Sequence, residues 1–337
     1  MVLEMSFPQL ERAINPTHDI RLFAGRSNTK LAQEIADYLG TTIGPMVIKN
    51  FADGEIYVQV KESVRGDDVF IIQPLCNPIN ENLMELLIII DAFKRASAKS
   101  ITAVIPYYGY ARQDRKTSGR EAITAKLVAD LLTTAGANRV LAMDLHTGQI
   151  QGFFNILVDH IFAEPILVNY IKSLNIDPDD MVAVSPDTGG VARTRHFAKQ
   201  IGCSLAIIDK RRDKHNSAVA CNIIGEVEGK VCVMFDDIID TAGTICEASK
   251  LLISEGAKAV YVCAAHPVFS GPAIERLAAA PIKECIVTNS IPLDTSKLPS
   301  NIKQLSVAPL LGQAISRIHD DESVSSLFGF EKDIQVS

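Results

Sequence analysis

Short β-branched apolar runs alternate with longer amphipathic stretches along almost the whole chain, and this rhythm restricts its fold more than any other feature. Strand candidates fall at 67–74, 101–108, 139–145, 181–186, 204–209, 230–237, 259–266 and 285–289. Helix-like patterns lie between them, at 29–39, 81–96, 121–135, 163–173, 190–200, 243–255 and 272–279. The strand runs are continuously apolar (DDVFIIQP, ITAVIPYY, AVYVCAAH) rather than alternating, which suits strands buried on both faces. Strand and helix in turn then give an α/β fold of parallel sheets flanked by helices.

The 337 residues suffice for two domains of about 150 residues each. The joint is expected near 155–165, where a new strand–helix series begins, dividing the chain into 17–160 and 161–330. With 47% hydrophobic and 22% charged residues, both halves can build a core, and global disorder is excluded. A formal charge of −7 argues against a nucleic-acid partner but leaves room for local arginine clusters that bind small anions. Seven scattered cysteines, never spaced C-x-x-C, read as buried free thiols in a reducing cytosol. The first residues lack the pattern of a secretory or transit leader, and the longest apolar stretch, Leu86 to Ile90, is far short of the ~20 residues a membrane span needs. A cytoplasmic chain without a membrane partner is expected.

The most informative segment is VCVMFDDIIDTAGTICEASKLL, 231–252. An apolar strand ends in Asp236 and Asp237; Asp240 follows, and Thr241-Ala242-Gly243-Thr244 open a strand-to-helix turn. Backbone N–H groups and hydroxyls in such a turn converge on a phosphate at a helix N-terminus. Acids beside a phosphate nest make sense if the ligand also offers hydroxyls or a metal, and a sugar phosphate offers both. A plainer reading, acids that cap a turn before an ordinary helix, fits the register of strand, acid pair and T-A-G-T less well.

DDIIDTAGT resembles the phosphoribosyl-diphosphate motif of type I phosphoribosyltransferases and of ribose-phosphate diphosphokinases. Further segments resemble the diphosphokinases specifically: NFADGEIYVQVKESVRGDDVFIIQ, IPYYGYARQDRKTSGREAITAKL, MDLHTGQIQGFF, SPDTGGVARTR, IIDKRRDK and FSGPAIERL. The resemblance to the class I-like members runs from about residue 20 to 330. It implies two tandem type I phosphoribosyltransferase-like domains, the first with ATP and effector elements, the second with the ribose 5-phosphate loop and the catalytic loop. The implied reaction moves the diphosphoryl group of ATP to the C1 hydroxyl of ribose 5-phosphate and leaves AMP, mostly by positioning and electrostatics.

By resemblance, Lys210 and Arg212 are catalytic, at the head of a polar stretch suited to a closing loop. Arg212, Asp236, Asp237, Asp240, Thr241, Ala242, Gly243 and Thr244 bind ribose 5-phosphate. His146 and Asp187, each at the C-terminal end of an expected strand, would contact Mg²⁺, with Asp144 a weaker candidate. Phe51, Asp53, Gly54, Glu55, Arg112, Gln113 and Asp114 match the ATP site. In the family part of that site comes from a neighbouring subunit, which implies a hexamer built from dimers. Ser63, Arg65, Ser97 and Arg120 match positions used for activation by phosphate and inhibition by ADP. Asn155 stands where close relatives have Asp, Leu157 replaces a Pro, and Thr147-Gly148 differs from the usual small pair. The alternative to an enzyme is a non-catalytic regulatory paralogue, but such a chain should have lost the basic loop or phosphate motif, and both are intact.

Overall fold

The computed structural model describes residues 20–212 and 219–328. Fourteen strands occur among them: β1 Arg21–Ala24, β2 Met46–Asn50, β3 Ile56–Val60, β4 Asp68–Ile72, β5 Ser100–Ile105, β6 Arg139–Met143, β7 Leu157–Ile161, β8 Met181–Ser185, β9 Ser204–Arg212, β10 Val219–Ile224, β11 Val231–Ile239, β12 Ala259–Pro267, β13 Glu284–Thr288 and β14 Ile302–Leu305. Eight helices accompany them: α1 Thr29–Leu39, α2 Ile79–Arg95, α3 Thr124–Ala135, α4 Glu164–Ser173, α5 Val191–Ile201, α6 Gly243–Ser254, α7 Ala273–Ala279 and α8 Ala308–His319.

Two sheets result. The first runs β1-β4-β5-β6-β7, parallel throughout. The second runs β10-β9-β8-β11-β12-β13-β14 and is parallel except for the β9–β10 pair. Strands β2 and β3 form a separate antiparallel hairpin, whose Met46, Ile48, Val58 and Val60 rest on the first core. The α/β class expected from the alternation is the one observed, because the central strands bury both faces and their connections run through helices. All eight expected strands and seven expected helices are present with ends shifted by a few residues. Six further strands, β1, β2, β3, β7, β10 and β14, are only four to six residues long, and most, such as β7 (LVDHI), mix polar with apolar residues, so none leaves a strong apolar run.

The chain's last helix returns to its beginning. Helix α8 starts with a proline in its first turn, where no intrahelical N–H partner is lost, and packs on α1 through a cluster containing Leu31, Ile35, Leu311, Ala314 and Ile315. Gly312 permits the approach, since a Cβ there would lie 2.4 Å from Tyr38 Cδ1. Asn28 caps α1 by accepting from the Leu31 N–H at 3.2 Å, and its amide donates to the Asn289 carbonyl at 2.9 Å, just past β13. The first half is therefore closed by residues from the far end of the chain. No helix among the described residues is long and apolar enough to cross a membrane.

Replacing Gly312 by Val should force Tyr38 off its seat and destabilise the protein by about 1–3 kcal/mol, read as a lowered urea midpoint with an unchanged slope.

Candidate active site

The C-terminal ends of β5, β6, β8 and β11 turn towards one region, the edge at which open parallel sheets place their ligands. At the end of β6 the chain bends sharply: Asp144 lies in the left-handed region at φ 41°. Every group around the bend is held. Buried His266 on β12 lies 3.2 and 3.1 Å through Nε2 from the Met143 and Asp144 carbonyls, and 2.9 Å through Nδ1 from Ser290 Oγ. The Leu145 N–H donates to His160 Nε2 at 3.0 Å, and the Ala163 N–H donates to Asp144 Oδ2 at 2.8 Å. Burial lowers both histidines to about 4, so they serve as neutral rings, and raises the Asp144 carboxyl to about 7. Asp144 thus anchors the start of α4 while bordering the site.

The bend delivers His146 to the acids at the end of β11. Its Nδ1 donates to Asp237 Oδ2 at 2.8 Å, a contact between the two sheets. Arg193 of α5 donates to Asp237 Oδ1 at 2.6 Å and Asp236 Oδ1 at 3.1 Å. Burial works to raise the Asp237 carboxyl, but the His146 hydrogen bond and the Arg193 charge outweigh it and hold it well below the usual range. Burial, with Asp237 beside it, pushes the Asp236 carboxyl up to about 7. The Asp237 hydrogen bond also raises His146, favouring the imidazolium. The two oxygens of Asp237, expected to face ribose 5-phosphate, orient His146 and neutralise Arg193. Sequence reasoning assigned no role to Arg193, His160 or His266. Arg193 sits within the quoted SPDTGGVARTR, where a cation one turn into the helix was the available signal. A cavity of about 580 Å³ opens beside His146, Arg193 and Asp237 and runs along α4 and α5.

Beyond the acids, Ala242 adopts φ 60°, ψ 5°, and α6 begins at Gly243, so 240–244 form a tight strand-to-helix loop. Asp240 accepts from Arg112 Nη1 at 2.7 Å, a second bridge between the halves. Thr147 Oγ1 donates to Asp114 Oδ2 at 2.9 Å, and Thr124 Oγ1 donates to Gln113 Oε1 at 2.5 Å. Arg112 and Asp114 therefore stand with the 240–244 loop and the β6 bend, while Gln113 steadies the start of α3.

Phe51, Asp53, Gly54 and Glu55 form the tip of the β2–β3 hairpin. Gly54 has φ 94°, and Asp53 Oδ1 accepts from the Glu55 N–H at 3.1 Å. Phe51 is 49% exposed; its ring meets Tyr57 edge-on with centroids 5.8 Å apart, and the Lys49 ammonium lies 6.0 Å from its centre. Asp187 follows β8; its Oδ1 takes the Gly189 and Gly190 N–H groups at 2.9 and 3.0 Å, leaving Oδ2. Among the described residues no three His, Cys, Asp or Glu side chains gather as a metal cage. Asp187 Oδ2 fits a single oxygen contact to an ion carried on phosphate oxygens and waters, the usual manner of Mg²⁺, whereas His146 Nε2 offers a lone pair only as the neutral ring.

Ser63 and Arg65 precede β4, Ser97 precedes β5, and the Gly66 N–H donates to the Ser97 carbonyl at 3.1 Å, so these three share the amino end of the first sheet. Arg120, in the loop after β5, belongs to the opposite, carboxyl end. Lys210 and Arg212 lie on β9; their side chains, and all of 213–218 between β9 and β10, are outside the described residues.

Two mostly parallel sheets, joined at an acid-rich strand end that leads into a tight strand-to-helix loop, define an α/β protein with its candidate site between the sheets. Residues 20–136 match the model of the "N-terminal domain of ribose phosphate pyrophosphokinase" and residues 211–329 that of the "Phosphoribosyl synthetase-associated domain". The chain is 60% identical over 313 residues to a ribose-phosphate pyrophosphokinase of Synechococcus elongatus, covering 92% of this chain and 94% of that one. It is 58% identical to the chloroplastic ribose-phosphate pyrophosphokinase 2 of Arabidopsis thaliana, covering 95% and 80%. The crystal structure of a phosphoribosylpyrophosphate synthetase from Mycobacterium smegmatis superposes with a TM-score of 0.85 at 47% identity, covering 90% of this chain and 99% of that one. The chain belongs to the ribose-phosphate pyrophosphokinase family.

Pairing with Asp237 raises His146, so its stabilisation is complete below about pH 6.5, the ordinary histidine value, and fades as pH rises through the raised one. His146→Gln should therefore lower the thermal midpoint more at pH 6 than at pH 9, as scanning calorimetry at both would report.

Proposed function

We propose that the protein catalyses diphosphoryl transfer from ATP to the C1 hydroxyl of ribose 5-phosphate, forming 5-phosphoribosyl 1-diphosphate and AMP for nucleotide and related amino-acid and cofactor biosynthesis. The observation that carries this reading is the double bridge between the halves, His146 to Asp237 and Arg112 to Asp240. Residues matched to the nucleotide thereby stand beside residues matched to the sugar phosphate. A phosphoribosyltransferase that only consumed the diphosphate would leave the hairpin, Arg112 and the β6 bend without work.

In this account the 240–244 loop takes the 5-phosphate on its amides and hydroxyls, and Asp240 exchanges Arg112 for ribose hydroxyls. Asp236 borders the sugar. Phe51 stacks on adenine, and Arg112, released by the sugar, reaches the nucleotide phosphates together with Asp114. The C1 oxygen attacks the β-phosphorus, the bond to the α-phosphoryl oxygen breaks, and AMP departs. Positive charge from Lys210 and Arg212 stabilises the transferred oxygens. Mg²⁺, when bound, neutralises and orients the triphosphate. Asp187, and His146 as the neutral ring, would hold it, with Asp144 anchoring the bend behind them.

Regulation is read from Ser63, Arg65, Ser97 and Arg120 as a phosphate and ADP site. Arg120, in the loop after β5, would join the other three from a second copy in the hexamer of dimers that the resemblance implies. The division at 160/161 keeps the nucleotide elements in one domain and the sugar-phosphate loop in the other. A cytoplasmic location is supported by six cysteines with free thiols, Cys76, Cys203, Cys232, Cys246, Cys263 and Cys285, of which all but Cys203 are buried.

AMP formation from ATP and ribose 5-phosphate, with and without Mg²⁺ and phosphate, tests the reading. AMP in step with a diphosphorylated sugar is expected, lost on chelation; none from a folded protein under any condition would favour the regulatory paralogue. Asp240→Ala should raise KM for ribose 5-phosphate at least tenfold, and Lys210→Ala should lower kcat by about 10²-fold or more with an unchanged thermal midpoint.

A further inference from the structure

The segment FSGPAIERL, 269–277, stood out in the sequence but has no part in the site described so far. It begins where β12 ends. Phe269 turns the chain with φ 48° and Gly271 with φ 57°, which folds the segment back under the loop that follows β11. There it meets three consecutive carbonyls. The Phe269 N–H donates to the Ile239 carbonyl at 3.1 Å and the Ser270 N–H to the Asp240 carbonyl at 3.0 Å. Arg276 Nη1, from the middle of α7, donates to the Thr241 carbonyl at 3.0 Å.

These contacts fix the direction of the loop. With the carbonyls of 239, 240 and 241 committed to the segment beneath, none of the three is available to turn toward a phosphate, which a carbonyl oxygen would repel. Ala242 then takes its left-handed conformation and Gly243 opens α6, so the N–H groups of the turn are the polar backbone left for an anion. The first two carbonyls are held by backbone donors that any sequence would supply. The third depends on one side chain, and it belongs to the peptide that leads into the strained residue Ala242.

We infer that Arg276 is a positioning residue for the ribose 5-phosphate site, acting on affinity for the sugar phosphate by pinning the Thr241 carbonyl from behind rather than by touching the ligand. This rests on the reading of 240–244 as the 5-phosphate loop. Arg276 is exposed on its outer side, so its loss leaves no buried charge and the fold should tolerate it.

The test compares Arg276→Ala, Arg276→Gln and Arg276→Lys with the wild type in steady-state kinetics and in calorimetric titration with ribose 5-phosphate alone. Arg276→Ala should weaken KM and Kd for ribose 5-phosphate about three- to tenfold, the effect of one lost hydrogen bond, with KM for ATP and kcat within twofold. Arg276→Gln, which has a donor but no charge, should recover part of the loss. An Ala variant with unchanged affinity overturns the inference. So does a Gln variant no better than Ala, and recovery by Lys alone would mark a direct charge contact with the phosphate. Titration also keeps two failures apart: a wild type that binds ribose 5-phosphate but yields no AMP counts against the proposed reaction, not against Arg276.

Discussion

Two adjacent carboxylates at the end of one buried strand are the constraint around which this protein is arranged. Asp237 is only 5% exposed, and a carboxylate there is costly unless paired and hydrogen-bonded. Its two partners come from different places: Arg193 from the helix after β8, and His146 from the end of β6 in the other sheet. Neutralising one residue therefore draws the two sheets together. Asp236, buried and beside the charge of Asp237, is pushed towards its neutral form despite Arg193.

The same economy governs the loops around the acids. His146 reaches Asp237 only because the chain bends at Asp144, a non-glycine residue in a conformation that costs about 1–3 kcal/mol elsewhere. The bend persists because two neutral histidines engage it with opposite polarity: His160 accepts an N–H while His266 faces two carbonyls. The Ala242 turn is similarly held from beneath by 269–276. In both places strain lies at a strand end beside the site, and the supporting contacts come from segments distant in sequence.

The legible and illegible parts of the fold differ for physical reasons. Strands such as β11 and β12 were plain because burial on both faces demands unbroken apolar runs. Short β1 and half-polar β7 carry too little apolar sequence to stand out, and α8 is interrupted by Gly312, which only its contact with Tyr38 explains. In the site, DDIIDTAGT and the ends of β6 and β8 could be read because strand-end acids and small residues have few other uses. The pairing of His146 with Asp237 could not, being a contact across 91 positions of chain. Nor could the division of labour between Asp236 and Asp237, which depends on which carboxylate Arg193 and His146 reach. His160 and His266 look like ordinary residues of apolar strands until the carbonyls and amides they face are seen.

The central claim is that the joined halves bring ribose 5-phosphate to the β-phosphorus of ATP. Following ATP labelled at the β-phosphorus tests it most directly. The account predicts that all transferred label appears in the sugar product, with unlabelled AMP formed in equal amount. Label retained in ADP, with transfer of the γ-phosphoryl group alone, would contradict it.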